Sequence, residues 1–381
     1  VSRSKILFLI NSLEGGGAER VLLELLAASR CRAADHDISL ALLDRTPHAY
    51  AVPDWLTIHS LDARSSLHRS YFELARLIRQ ERPALTLSFL TRSNVVAVGA
   101  ARRFGHRAII SERVNTSSHL SGGMGAFVSR QLVRASYPRA DRVIAVSDGI
   151  ADDLRRNFAV PADKLVTIAN PVNFERVRAA AAETVTLPVD GPFMVSVSRL
   201  SKNKNAILAV EALARSATDL PLVILGEGPE REAIAARASE LGIAGRVILA
   251  GFVPNPYPIL SAAACYVSGS NAEGFPNALV EALALGIPVI HTNCPSGPSE
   301  ILANRTRGDV QGIVETECGY LVPQDDPDAM ASVMNLATLP ERRAAMGAAG
   351  RQRASRYSVE AARDAYWRVI DETLALSSAG K

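Results

Sequence analysis

The chain has 381 residues, of which 48% are hydrophobic and 21% charged, with a formal net charge of +3. That length gives about two domains with large cores, and the balance excludes a disordered chain. No apolar run approaches the roughly 20 residues of a membrane span, and the four cysteines (Cys31, Cys265, Cys294, Cys318) lack metal or redox spacing, which predicts buried free thiols in a reducing cytoplasm.

From the N-terminus, residues 5–10 read as a buried strand, too short for the core of a signal peptide. Gly15-Gly16-Gly17 follows it, then an amphipathic helix over residues 18–28. Three glycines let a ligand approach the backbone closely. The run is not GxGxxG, and no acidic residue stands clearly at the end of a second strand to hold an NAD ribose. Further strands are expected over residues 38–43, 85–89, 108–111 and 142–146, with a helix over 71–80 between them. The pattern restarts at residues 193–198 and continues through 222–225, 247–250, 265–267 and 288–291. Such alternation predicts an α/β protein of two Rossmann-like halves, with parallel sheets covered by helices on both faces. The turn signal Asn170-Pro171-Val172-Asn173 divides residues 1–171 from 172–358. A last helix begins near Val359 and carries Tyr366 and Trp367.

Charge is uneven along this order. Residues 1–170 hold 23 Lys+Arg against 16 Asp+Glu, a net of +7; the remainder holds 19 against 23, a net of −4. A basic N-terminal half suits an anionic partner such as acidic lipid headgroups, a lipid diphosphate or nucleic acid; a solvated surface is the plain alternative. Residues 124–137 set Phe127, Val128, Leu132 and Val133 among Arg130 and Arg134. That pattern fits either a helix lying on a membrane surface or one whose apolar residues face the core.

The densest chemistry lies in Glu273-Gly274-Phe275-Pro276-Asn277-Ala278-Leu279-Val280-Glu281. The flanking patterns make it strand, loop, helix, strand, with Pro276 in the first helical turn and Glu273 at the helix mouth. A helix N-terminus offers free N–H groups and a positive dipole, which suits a diphosphate. A carboxylate beside an anion needs another partner, and sugar hydroxyls donate strongly to carboxylates. The arrangement therefore suggests a nucleotide-sugar pocket, in which Glu281 faces both ribose hydroxyls. The amides of Gly274, Phe275, Asn277 and Ala278 add donors; Pro276 has none to give.

This segment resembles the E-x7-E signature of family GT4, retaining glycosyltransferases of the GT-B fold. Gly15-Gly16-Gly17-Ala18-Glu19-Arg20, Ser198-Arg199-Leu200 with Lys204-Asn205, Gly226-Glu227-Gly228-Pro229, Gly251-Phe252-Val253-Pro254, Cys294-Pro295-Ser296-Gly297-Pro298-Ser299-Glu300 and Cys318-Gly319-Tyr320-Leu321-Val322-Pro323 extend the resemblance in the family's order. It implies two Rossmann-like domains facing across a cleft, with the last helix returning to the first domain. It implies Glu273, Arg199 and Lys204 as the catalytic set, the two cations holding the diphosphate and Glu273 touching the transferred sugar. Gly16, Gly17, Gly226, Phe252 and Val253 join the donor pocket, the last two presenting backbone groups to the base. Glu19, Arg20, Arg113 and His119 fall on the acceptor side. Many relatives carry a histidine where Arg113 stands, so Arg113 is expected to meet a phosphate instead, with His119 a loop residue.

Asp325-Asp326 reads as a helix start, and neither a catalytic metal nor a cofactor is expected. The implied partners are a UDP- or GDP-sugar and a glycan or polyprenyl-diphosphate-linked acceptor, with an anionic membrane surface rather than nucleic acid. The enzyme would be cytoplasmic or peripheral on the cytoplasmic membrane face. Two rivals remain: an NAD-dependent oxidoreductase and a non-catalytic sugar-nucleotide-binding protein.

Overall fold

The computed structural model describes residues 3–376. The chain forms two compact units: Val1–Pro171 with Val359–Lys381, and Val172–Ser358.

In the first unit the strands are β1 (Ser4–Ile10), β2 (His36–Leu42), β3 (Thr57–Ser60), β4 (Leu85–Phe89), β5 (Arg107–Glu112), β6 (Arg142–Ala145) and β7 (Leu165–Thr167). They lie in the order β3-β2-β1-β4-β5-β6-β7, every pair parallel. β4 is buried throughout and β1 from Ile6 onward, because helices cover both faces of a parallel sheet. The last helix, Val359–Ala375, belongs to this unit's core. It buries Tyr366, Trp367, Val369 and Ile370 in one cluster with Ile6, Phe8 and Phe89. Tyr366 stacks on Phe89 with centroids 6.0 Å apart, and the Trp367 indole donates to Ser29 Oγ at 2.8 Å.

The second unit holds β8 (Met194–Val197), β9 (Leu222–Leu225), β10 (Val247–Gly251), β11 (Cys265–Ser268), β12 (Val289–Thr292), β13 (Val314–Thr316) and β14 (Gly319–Val322). Their order is β10-β9-β8-β11-β12-β14-β13, with only β13 antiparallel to its neighbour. The order reverses at β8/β11, so the loops after these two strands diverge and leave a crevice at their carboxyl ends. Those loops carry Arg199 and Glu273.

The strands β3, β7, β13 and β14 go beyond the sequence reading. The first three hold three or four partly exposed residues each and sit at sheet edges, too short to show a pattern. Cys31 departs from the expectation of buried thiols: it lies exposed in a short 3-10 turn, whereas Cys265, Cys294 and Cys318 are buried.

Candidate active site

The β8 loop is shaped by glycines it touches. Gly226 has φ +141°, and a Cβ there would come within 1.8 Å of the Ser198 carbonyl oxygen. Gly228 packs as closely, its Cβ position 2.2 Å from the Leu200 carbonyl oxygen. Leu200 N–H donates to Glu227 O at 2.9 Å and Glu230 N–H to Leu200 O at 3.1 Å. Gly226 thus acts through backbone packing that fixes Arg199. The Arg199 side chain is exposed, and its guanidinium makes no hydrogen bond or ion pair among the described residues.

A second set of bonds ties residues 201–205 to the β11 loop. Asn271 N–H donates to Asn203 O at 2.8 Å, and Asn203 Nδ2 donates to Ala272 O at 2.8 Å. This brings Lys204 Nζ within 2.7 Å of both Glu273 carboxylate oxygens. The two residues were expected to serve different parts of a donor; the structure joins them in one ion pair. Burial raises the Glu273 carboxyl, but Lys204, with His291 and Ser270, more than offsets it and leaves the pKa below the ordinary value.

Glu273 is pinned from a third side by the loop after β12. Its N–H donates to Pro295 O at 3.2 Å and its carbonyl accepts from Ser296 Oγ at 2.7 Å. Ser296 pays for this with φ +61°, a left-handed conformation that a non-glycine residue adopts only under constraint. Gly297, at φ +98°, leaves room for Pro276, whose Cδ would be 2.6 Å from a Cβ there.

The helix after Glu273 runs Asn277–Leu285, so Pro276 caps it rather than entering its first turn. Leu279 N–H donates to Pro276 O at 3.1 Å, and Asn277 and Ala278 open the helix's first turn. Both residues are half-buried. The Phe275 ring is buried edge-on against Tyr357, centroids 5.2 Å apart, so only its backbone can face a ligand. Glu281 is 6% exposed and accepts from Tyr257 Oη at 3.2 Å. Tyr257 went unrecognised in sequence, hidden in the proline-rich run after Phe252, where it opens a helix (Tyr257–Ala262). Phe252 itself is 75% exposed, with Val253 half-buried beside it.

In the first unit the glycine loop is partly filled by its own chain. Glu19 folds back so closely that a Cβ on Gly16 would lie 2.2 Å from its Oε2. Gly15, at φ +115°, receives the Tyr50 hydroxyl on its carbonyl oxygen at 3.0 Å. Arg20, half-buried in the helix Gly17–Ala28, makes further contacts of its own.

Arg113 does not meet the expected phosphate. It is 7% exposed; Nη1 donates to Tyr366 Oη at 2.9 Å and to Ser111 Oγ at 3.3 Å, and Nη2 donates to Asn170 Oδ1. Its guanidinium also covers the Phe89 ring at 5.2 Å. It is a buried clasp holding the last helix and the end of the first unit's chain to β5. His119 is exposed and ends a short helical turn, Thr116–His119, rather than lying in open loop. Asp326 caps the helix Pro327–Ala337 by accepting from Ala329 N–H at 2.9 Å. Among the described residues no group of three His, Cys, Asp or Glu side chains is placed to hold a metal ion.

Comparisons with known proteins agree with this architecture. The model for glycosyl transferases group 1 matches residues 178–353, and that for glycosyltransferase family 4 matches residues 15–176. An N-acetylgalactosamine-N,N'-diacetylbacillosaminyl-diphospho-undecaprenol 4-alpha-N-acetylgalactosaminyltransferase of Campylobacter jejuni is 31% identical over 86% of this chain and 88% of its own length. A second C. jejuni enzyme, an alpha-1,4-N-acetyl-D-galactosaminyltransferase acting on GalNAc-alpha-(1->4)-GalNAc-alpha-(1->3)-diNAcBac-PP-undecaprenol, is 25% identical over 87% and 88%. Among solved structures, Anabaena HepE in complex with UDP and glucose superposes with TM-score 0.76 at 18% identity, over 97% of this chain and 100% of that one. Sucrose-phosphate synthase from Thermosynechococcus elongatus gives 0.76's near neighbour, a TM-score of 0.78 at 20% identity over 98% and 100%. Two parallel-sheet Rossmann-like units, matched along nearly their whole length by such proteins, make this chain a member of glycosyltransferase family 4 with the GT-B fold.

Proposed function

We propose that the chain is a retaining, metal-independent transferase that moves an N-acetylhexosamine from a UDP or GDP donor to a hydroxyl of a polyprenyl-diphosphate-linked glycan. The observation that carries this reading is the Lys204–Glu273 pair at the mouth of the helix Asn277–Leu285, with Glu281 about one turn into that helix. Cations and helix amides suit a diphosphate; the two buried carboxylates suit the hydroxyls on either side of it. The choice of an N-acetylhexosamine and a lipid-linked acceptor is supported by the name of the relative sharing 31% identity.

In this reading Glu281 receives ribose hydroxyls and Glu273 receives hydroxyls of the transferred sugar. Arg199 and Lys204 hold the diphosphate as the bond from the anomeric carbon to phosphate oxygen breaks. The acceptor oxygen bonds to that carbon on the same face, and its proton passes to the departing phosphate oxygen. Electrostatic stabilisation of the leaving group supplies the main acceleration. A thermal-shift screen of UDP-, GDP- and ADP-sugars identifies the donor, since ligands of the native state raise Tm. Transfer of labelled sugar to a polyprenyl-diphosphate-linked acceptor, with the anomeric configuration read by NMR, tests the reaction. No shift with any nucleotide sugar would end this reading, and donor hydrolysis without transfer would point to a different acceptor.

The same reading places the enzyme on the cytoplasmic face of an anionic membrane. No helix among the described residues is long and apolar enough to cross a bilayer. The helix Gly123–Ser136 buries Val133 but leaves Met124, Phe127 and Val128 at 78%, 58% and 50% exposure, with Arg134 exposed beyond them. Arg130 instead lies over the Phe158 ring at 5.4 Å. Apolar side chains with cations beyond them suit a headgroup boundary, each cation contributing about 1 kcal/mol. Sedimentation with anionic but not neutral liposomes, lost on Phe127→Ser with Arg134→Glu, is the expected result; equal recovery with both would remove the membrane.

A further inference from the structure

We propose that Tyr257 is a positioning residue of the donor site, its hydroxyl setting the plane in which the Glu281 carboxylate meets the ribose hydroxyls of a nucleoside diphosphate. The inference rests on the nucleotide-sugar reading above and adds a residue to it.

Tyr257 and Glu281 are each 6% exposed. The Tyr257 hydroxyl donates to Glu281 Oε1 at 3.2 Å. A glutamate's last torsion is soft and roughly two-fold, so a helix fixes where the carboxylate lies without fixing how it is turned. Recognition of two neighbouring hydroxyls depends on that turn, since each must reach a carboxylate lone pair in good geometry. A donor held on Oε1 supplies the missing constraint. It also gives the buried carboxylate a partner before any ligand arrives, where an unsatisfied charge would be costly.

The hydroxyl can set the carboxylate only if it is itself held, and the chain around it is stiff. Pro256 and Pro258 flank Tyr257, each with φ locked by its ring. Pro258 stands in the first turn of the helix Tyr257–Ala262, where its missing N–H is tolerated. Tyr257 N–H donates to Asn255 Oδ1 at 3.2 Å. The Asn255 amide in turn donates to Ala180 O at 2.9 Å and to Glu183 Oε2 at 2.8 Å, tying this turn to the helix Phe174–Ala181 and the residues just after it. The loop after β10, with Phe252 and Val253, leads directly into the same turn. The segment expected to face the base therefore ends on the residue that orients the ribose carboxylate.

Calorimetry on the full chain tests this, with UDP and GDP first and then the 2′,3′-dideoxy form of whichever binds more tightly. Wild type should hold the dideoxy form about tenfold to a hundredfold more weakly, the range of a hydrogen bond to a charged group. Tyr257→Phe keeps the ring and should weaken the ribonucleotide about five- to tenfold, while leaving the dideoxy form within about twofold of wild type. In a Glu281→Ala background the same change should move ribonucleotide affinity by less than about twofold, because nothing is left to orient. Retained dideoxy affinity reports an intact site. Equal weakening of both nucleotides by Tyr257→Phe would mark a hydroxyl that only supports the fold and would overturn the proposal. So would an unchanged ribonucleotide affinity, or a full effect of Tyr257→Phe in the absence of the Glu281 carboxylate. A wild type indifferent to the ribose hydroxyls would overturn it as well. A wild type that binds neither UDP nor GDP would instead count against the nucleotide-sugar reading itself, a result visible before any variant is made.

Discussion

Lys204→Ala separates a phosphate clamp from a structural ion pair, because the structure makes Lys204 both. Its side chain is 28% exposed and that of Glu273 is 9% exposed. Removing one partner of a buried pair costs about 3–5 kcal/mol, and the water that reaches Lys204 lowers this to about 2–3 kcal/mol. For a unit the size of Val172–Ser358 that is a drop in Tm of about 4–12 °C at pH 7. The pH dependence has a definite sign. In the wild type burial raises the Glu273 carboxyl, but Lys204 outweighs it and the pKa ends below 4.5. The pair's contribution is therefore complete above the unfolded value of about 4.5 and is lost as pH falls through the lower folded value. In the variant burial is opposed only by the smaller effects of His291 and Ser270, the carboxyl takes up a proton at higher pH, and the gap to wild type narrows as the medium becomes acid. Adding Glu273→Gln to Lys204→Ala should restore much of the loss. Urea unfolding of the four proteins of this cycle, at pH 7 and pH 4.5, is the assay. Additivity within about 0.5 kcal/mol would refute the pair as an energetic unit. Arg199→Ala is the contrast: its exposed guanidinium makes no hydrogen bond or ion pair among the described residues, so stability should stay within about 0.5 kcal/mol of wild type. UDP affinity should nevertheless fall about tenfold to a hundredfold in both single variants, as expected for a charge-assisted bond.

Three further outcomes follow from the geometry. Glu281→Gln should weaken free nucleoside diphosphate, whereas Glu273→Gln should spare it and lower turnover; equal loss of nucleotide affinity in calorimetry would undo this division. Arg113→Met should cost about 2–4 kcal/mol in denaturant unfolding, since Asn170 and Tyr366 lose a buried partner, and Arg113→Lys should not recover it because one nitrogen cannot occupy both guanidinium nitrogen positions. Gly226→Ala should lower Tm and nucleotide affinity together, since a Cβ would sit 1.8 Å from the Ser198 carbonyl oxygen at φ +141°; unchanged values in both would show that the β8 loop can yield.

The parts of the site legible in sequence were those with a local cause. Glu273 and Glu281 stand on one loop–helix segment whose helix is bounded by Pro276 and Gly286, so their place at its mouth and within it is read from neighbouring residues. Lys204 followed a strand end, which fixes its side of the sheet. What it pairs with depends on the bonds of Asn203 to Asn271 N–H and, through its side-chain amide, to Ala272 O, 69 positions away, and no periodicity encodes them. Arg113 shows the same limit from the other side. Its position after β5 reads as an acceptor-side residue that meets a phosphate, but its hydrogen-bond partner Tyr366 arrives from 253 residues away. Tyr257 was passed over because it lies among prolines; only its hydroxyl, once buried against Glu281, demands a partner.

The positive excess of the N-terminal half was read in sequence as a mark of an anionic partner, and the fold supplies a second cause for it. Parallel strands bring the C-terminal ends of the covering helices to one edge of the sheet, where their dipoles leave partial negative charge. Arg79, Arg102, Arg103 and Arg134 each stand in the last turn of their helix. Near that edge a groove of about 1300 Å³ is lined by Arg79, Arg82, Arg102, Arg107 and Arg139. Arg107 is already committed to Asp141 at 2.6 Å, and Arg79 lies over the Phe104 ring at 5.4 Å. Helix termini thus account for part of the charge without any ligand, at about 0.3–1 kcal/mol per residue. They do not account for Met124, Phe127 and Val128, which no dipole requires to be exposed. Membrane attachment therefore stands or falls with those three apolar side chains rather than with the charge count, and this is why Phe127 is changed together with Arg134 in the liposome experiment.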